Sequence, residues 1–461
     1  MSDAAVVVVH RKRRNTELVL IGFAVILGLG AWLIVNLNIY GGLPKTWPIV
    51  VVLWVGLGIA LNVIMRWRLP YADPVLLPCV LLLNGLGLTM IFRIDQISSP
   101  IAHGANTQML WTMLGVVLMV AMIFAFRDYR ILQRRTYTLG LVGLILLLLP
   151  LAPGLGIEEY GSRIWIHLAG FSFQPAEVAK IALAGAFAGY LVDKRDVLAL
   201  AGYQVLGLDL PRARDLGPIA LMWGASLAVL VFEKDLGTSL LFFGLFVMML
   251  YVATERPGWA VLGSLMFAAG AYAGYLLFGH VRVRVSAWLH PFSNFDANFQ
   301  IIQAQYGFAW GGLLGRGLGE GRPGLTPLAR SDFIAGAIGE ELGIVGLIAI
   351  VMLYGLIVAR GLRTGLAGRD TFGKLLATGL SFTFALQVFA IIGGVTRLLP
   401  LTGLTTPFMS QGGSSMIANW VIIGLLLIIS NSVRRPAPVI TAEAEDDTTQ
   451  LITVPAESRT Q

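Results

Sequence analysis

A single carboxylate, Asp296, stands between Val281 and Gly319, within the stretch WLHPFSNFDANFQIIQAQYG (288–307). Around it lie Arg282, Arg284, Arg316 and Arg322, whose planar guanidinium groups suit bidentate bonding to phosphate. A carboxylate at the edge of an apolar cavity has its pKa pushed upward, because burial disfavours the charged form, and such a group can take a proton from a hydroxyl. The plainer reading of one Asp among arginines is a salt-bridge partner, and spacing alone leaves both open.

Three further stretches concentrate polar groups. In IEEYGSRIWIHLAGFSFQPAEVAKIAL (157–183), Ile164, Trp165, Ile166 and Phe171 suit a segment lying in a membrane interface. Pro175 can then open a helix, where its missing N–H costs nothing. Glu177 falls near the positive N-terminal end of that helix, and Lys180, three positions on, shares its face. The pair is either a buried ion pair or, with Arg163, part of a cavity for an anionic head group. In FEKDLGTSLLFFG (232–244), Asp235 precedes the apolar run like an N-cap, and the charged corner equally suits the wet end of a tight turn. GGVTRLLPLTGLTTPFMSQGGSS (393–415), which contains Ser414, breaks helical structure at membrane depth, tolerable only inside protein or facing water.

Other chemistries are excluded. No Ser, His and Asp set and no phosphate-binding Gly-Lys loop occurs. The histidines at 10, 103, 167, 280 and 290 are scattered, which argues against a histidine-ligated metal. The lone cysteine, Cys79, rules out an internal disulfide and a thiolate zinc site.

The elements that must position these groups are membrane helices. Of 461 residues, 56% are hydrophobic and only 13% charged, with a mean hydropathy of +0.77, values no ordinary soluble surface allows. Continuous apolar runs predict twelve spans, near 17–35, 47–65, 74–92, 107–126, 136–152, 175–192, 217–232, 236–254, 258–279, 333–359, 374–396 and 415–433. They lack the alternation of a transmembrane barrel. The net charge of +7 is dispersed among short loops, so it reads as topology and not as a nucleic-acid surface. Lys and Arg weighting puts the N-terminus inside, and an even span count leaves both termini cytoplasmic. The first span, after the basic segment RKRR (11–14), reads as retained. The segment 280–332 is too rich in Trp, Phe and Ile for disorder and suits surface-lying or re-entrant helices, whereas the tail 436–461 reads as disordered.

Together these motifs resemble the SEDS family of cell-wall polymerases. The resemblance runs from Asp73 onward through DPVLLPCVLLLNGLGLTMIF, GSRIWI, QPAEVAKIAL, EKDLGTSLLFFG, SDFIAGAIGEELGIVGL and PLTGLTTPFMSQGGSS, the last being the most specific. It implies an all-α polytopic fold with a ten-helix core at 73–435, two additional helices at 17–72, a basic start at 1–16 and a large extracytoplasmic loop at 280–332. It also implies polymerisation of lipid II into glycan strands on the outer face of the cytoplasmic membrane, beside a class B penicillin-binding protein and other membrane proteins of the elongation complex or divisome. The sequence is most similar to the elongation branch.

Carried over position by position, Arg163 and Trp165 match the family's outer segment, Glu177 and Lys180 its acid and base pair, and Asp235 its DLG acid. Ser414 lies in its signature turn, where Gln411 departs from the usual small residue or Tyr. With Arg282 and Arg284 these are the expected substrate-binding residues. The family's catalytic Asp falls in P-x-x-D-P-x-G-x-G-Y-Q, whereas here PFSNFDANFQ sets Asn294 at that position and Asp296 two further on. A loop shortened by one residue before Gln300 brings Asp296 to the site, so Asp296 is the expected general base. A divalent cation, Mg or Mn, is compatible with a departing pyrophosphate, and no organic cofactor is implied. Two other classes share these features: a lipid II flippase without chemistry, and a scaffold activating a transpeptidase. The gathering of polar clusters on one side favours the enzyme.

Overall fold

Inside a bilayer every backbone polar group must be satisfied within the chain, so the apolar runs fold as helices. The computed structural model describes residues 12–436 except 99–102, 127, 160–161, 169–170, 199–202, 206–207, 211–220, 222–223 and 226–227. The helices are α1 (Arg14–Tyr40), α2 (Trp47–Arg68), α3 (Leu76–Ser98), α4 (Gly104–Ala125), α5 (Thr136–Leu148), α6 (Pro175–Leu198) and α7 (Leu236–Thr254). There follow α8 (Pro257–Leu277), α9 (Gly279–Leu289), α10 (Phe299–Gly311), α11 (Ile334–Leu366), α12 (Thr371–Val395) and α13 (Gly413–Arg434).

Among the described residues, eleven helical segments are long and apolar enough to cross a membrane, and all eleven coincide with predicted spans. Most of the remaining predicted span, 217–232, lies outside the described residues, as do the start 1–11 and the tail beyond 436. α3, α6 and α13 each bury 78% of their apolar window, against 22% for α2 and 17% for α8, so the first three form the core and the last two face lipid.

Ser162–Leu168 is a strand. It is β2 of a three-stranded antiparallel sheet with β1 (Gly156–Glu159) and β3 (Phe171–Phe173), in which Trp165 faces Ile157 and Ile166 faces Phe173. The alternation of Ile164 and Ile166 with Arg163, Trp165 and His167 has the period of a strand, and β-branched and aromatic residues fit a pleated surface. A second antiparallel pair joins β4 (Tyr203–Val205) to β5 (Leu208–Leu210). The membrane body is nonetheless all-α.

Two glycines permit the irregular backbone. At Gly87 of α3 an added Cβ would lie 2.5 Å from the Met409 Cα, so only glycine lets the segment after α12 seat itself against α3. Gly343 (φ 69°) breaks α11, freeing its backbone to bond the loop at 312–317: Ile344 N–H donates to the Gly312 carbonyl (3.0 Å) and Val345 N–H to that of Leu313 (3.1 Å). The segment 280–332 contains helices, α9 and α10, as its composition predicts.

Candidate active site

The end of the bundle at which α6, α7, α11 and α13 begin is called the outer end, following the Lys and Arg distribution. There the signature turn, 400–412, enters the bundle as non-helical backbone, and its carbonyls are met by side chains. Gln387 of α12 donates to the Thr405 carbonyl (2.8 Å), Tyr354 of α11 to that of Pro407 (2.6 Å) and Gln108 of α4 to that of Ser410 (2.9 Å). Irregular backbone at this depth survives because protein supplies what water cannot.

Three expected residues converge on this turn. Lys180 is buried and donates to Glu177 (2.6 Å) and to the side-chain Oε1 of Gln387 (3.0 Å), so through Gln387 it is tied to Thr405. The short i, i+3 bridge satisfies both charges, which gives the ion-pair reading of Glu177 and Lys180 a firm structural role. Arg284 of α9 reaches the turn from the outer loop, donating through Nη1 to the carbonyls of Leu401 (3.1 Å) and Thr402 (3.0 Å). Trp288, one helical turn on, donates to the Arg397 carbonyl (2.9 Å) and receives the Arg397 guanidinium in return, so α9 is latched to the turn at two points.

Asp235 fills the N-cap position expected of it. Its carboxylate accepts the Thr238 N–H (3.0 Å) and hydroxyl (2.5 Å), satisfying a helix-end donor. The chain enters α7 through Lys234, held at φ 56°, which sets buried Glu233 close to the cap. Burial raises the Asp235 pKa, opposed by the bonds from Thr238 and the charge of Arg284. Burial and neighbouring Asp235 push Glu233 up to about 8. Asp332, just before α11, is half-buried and raised to about 6 by burial, against the pull of Ser331 and Arg284.

Beside these groups an apolar cavity of 370 Å³ opens between α7, α8, α9 and α12, walled by Phe243, Phe267, Val281, Leu386 and Phe389, with Arg284 the only charged residue lining it among the described residues. Three hydroxyls at the turn and at the start of α13 are buried without a hydrogen-bond partner among the described residues: Thr405, Thr406 and Ser414. Leaving a buried hydroxyl unmet costs about 1–3 kcal/mol.

Other expected residues lie apart. Asp296 is exposed on the turn between α9 and α10, forms no hydrogen bond or ion pair among the described residues, and does not line the cavity. Asn294 is also exposed, its side chain accepting the Ala297 N–H (3.1 Å). Neither carboxylate burial nor a salt bridge applies to Asp296 in this arrangement. Arg282 is exposed on the far face of α9, while Arg163 reaches only the Ala152 carbonyl (3.4 Å) and Trp165 is half-buried in β2. Among the described residues no three His, Cys, Asp or Glu side chains converge to hold a metal ion.

Sequence reasoning assigned no role to a second polar belt at this end. Arg93 bonds Glu341 (2.9 Å) and the Gly321 carbonyl, Glu341 accepts the Gly319 N–H (3.0 Å), and Arg330 pairs with Asp95 (2.7 Å). These contacts pin the glycine-rich part of the loop to α3 and α11. The available signal was the presence of ionisable residues in FRID and GEEL within apolar runs.

Comparison with known proteins gives one consistent result. A family of cell cycle proteins, FtsW/RodA/SpoVE, matches residues 74–435. The chain is 48% identical over 430 residues to peptidoglycan glycosyltransferase RodA of Mycobacterium tuberculosis, covering 92% of each chain. It is 34% identical over 378 residues to a probable peptidoglycan glycosyltransferase FtsW of Trichlorobacter lovleyi, covering 80% of this chain and 95% of that one. In structure it is similar (TM-score 0.64, 26% identity, 79% of this chain and 99% of the other) to a chain from a peptidoglycan synthase complex studied for the coordination of polymerization and crosslinking.

Proposed function

The chain belongs to the FtsW/RodA/SpoVE family of cell cycle proteins, and from that premise we propose how its outer end carries out glycosyl transfer. It is a peptidoglycan glycosyltransferase serving rod shape. The substrate is lipid II, and the reaction is an inverting transfer in which the 4-hydroxyl of the incoming sugar attacks the anomeric carbon of the lipid-linked chain. The C–O bond to the pyrophosphate breaks, and undecaprenyl pyrophosphate leaves with the bonding electron pair.

One observation carries this reading. An apolar cavity ends at Arg284; Arg284 bonds the signature turn directly, Lys180 is tied to it through Gln387, and the unmet hydroxyls lie in it (Thr405, Thr406) or just after it (Ser414). Such a site takes a lipid chain along the apolar wall and its pyrophosphate at the rim. Arg284 uses only Nη1 on protein carbonyls, leaving Nη2 and Nε without a hydrogen-bond partner among the described residues. A guanidinium held by backbone is preorganised, so it stabilises the charge developing on the leaving group without reorganising. Asp296 is the base, carried by the turn that joins α9, part of the cavity wall, to α10. It is exposed in this arrangement, so its role as base requires the turn to fold over a bound acceptor sugar.

The family match beginning at residue 74 supports a core at 73–435 with α1 and α2 as an addition. Lys and Arg weighting supports termini on the cytoplasmic side, and the related synthase complex supports a crosslinking partner. The test is purified chain incubated with lipid II and scored for glycan strands: polymer is expected, and lipid II translocation without polymer would favour the flippase reading.

A further inference from the structure

At the end opposite the site lies a second cavity, 390 Å³ in volume and polar, where the last turns of α2, α4 and α13 meet. That volume falls within the roughly 300–1,000 Å³ of small-molecule sites. Arg68, Arg130 and Arg435 stand in its wall, with Asp128 the only acid among the described residues. The charges do not cancel. Asp128 turns its carboxylate onto the Arg130 N–H (3.0 Å), capping a short turn of its own. Arg68 donates through Nη2 to the Phe124 carbonyl (3.0 Å), and Arg130 lies 3.6 Å from Asp370. Arg435 has no ion pair among the described residues, the neighbouring Arg434 being held by Asp73. Asn431 and Ser432 add polar atoms, while Leu69, Ile123 and Ile428 make an apolar floor.

The approach to the cavity is built for lipid. The Arg68 guanidinium lies 4.8 Å from the centre of the Phe124 ring, and Trp67 packs edge-on to the same ring at 5.5 Å. Trp67 is 73% exposed, an aromatic side chain left open at a helix end, as at membrane–water boundaries. A soluble anion would have no use for that aromatic wall, whereas an acyl chain could pack along it.

We infer that this cavity binds the phosphate of an anionic phospholipid, with Arg68 and Arg435 on the phosphate and Trp67 and Phe124 along the chain. Such a lipid ties α2, which packs chiefly on α1 and only lightly on α4, to the ends of α4 and α13. The site thus belongs to the junction between the N-terminal pair of helices and the rest of the bundle. Only the leaflet rests on the orientation proposed above, since binding itself does not depend on it.

The test uses the full chain, delipidated in detergent and offered phosphatidylglycerol, phosphatidylcholine or inorganic phosphate alone. Retained lipid is read by native mass spectrometry and stability by thermal unfolding. Phosphatidylglycerol should be retained over phosphatidylcholine and raise the unfolding temperature, and each of Arg68→Gln and Arg435→Gln should lower that retention about fivefold. Ser432→Glu, at an exposed wall position, should abolish the preference in a folded protein, whereas Arg369→Gln at a different polar cavity should leave it intact. Arg68→Gln also removes a helix-end bond, so Arg435→Gln and Ser432→Glu decide the matter. Undiminished phosphatidylglycerol retention in both would overturn the site, and stabilisation by inorganic phosphate with no lipid preference would overturn the lipid assignment.

Discussion

Asp73 and the signature turn show two ways of burying polar groups at opposite ends of one bundle. Asp73 is fully buried and fully engaged: it receives the Arg434 guanidinium, lies 3.8 Å from Arg360, accepts the Val75 N–H (2.9 Å), and its own N–H is taken by Ser430 (3.0 Å). The turn at 400–412 has its carbonyls equally well met, yet Thr405 and Thr406 keep hydroxyls that nothing receives, as does Ser414 beside it. A closed network fixes the joint between α3, α11 and α13. An open one beside a cavity leaves donors that a bound ligand can satisfy.

The sharpest way to break this contrast is to remove one member from each side. Asp73→Ala strands two arginines and should cost about 3–5 kcal/mol, read as a large fall in unfolding temperature and in yield of folded protein. Arg284→Gln should leave the fold in place yet lower polymerisation of lipid II by about 100-fold, the usual effect of losing one preorganised donor to a leaving group. Equal losses of stability in the two variants would erase the distinction.

Smaller effects refine it. Thr405→Val removes a hydroxyl with no partner, so stability should stay within about 0.5 kcal/mol of the original or rise, while activity falls by about tenfold. A matching fall in stability would mean the hydroxyl is structural.

Asp332 supplies a pH test. Its carboxyl stays protonated in the folded protein until about pH 6 but ionises near 3.8 once unfolded, so it favours folding fully below that lower value. That contribution is lost as pH rises through 6. Asp332→Asn should therefore flatten the decline in unfolding temperature between pH 4 and 7 and raise stability at pH 7. Last in size, Arg282→Gln, at an exposed position, should shift stability by less than about 0.5 kcal/mol.

Much of this was legible in the sequence because it is local. Span-length apolar runs gave the eleven described membrane helices, the DLG acid announced its own N-cap, and the i, i+3 spacing announced the bridge from Glu177 to Lys180. At 162–168 the apolar content points to an interface, while the alternation of Ile164 and Ile166 with polar and aromatic residues carries the strand. What stayed hidden is non-local. Arg93 and Glu341 lie 248 residues apart, and Lys180 finds Gln387 across 207, distances over which composition carries no pairing information. The exposure of Asp296 was equally invisible, because it depends on how α9 and α10 dock.

That exposure makes one measurement decisive. Purified chain with lipid II, scored for glycan strands, should polymerise as the unaltered sequence and as Asn294→Ala, and should fall by about 100-fold or more in both Asp296→Ala and Asp296→Asn, with unfolding temperature unchanged throughout. Full polymerisation by Asp296→Ala would contradict the assignment of Asp296 as the base that deprotonates the acceptor sugar.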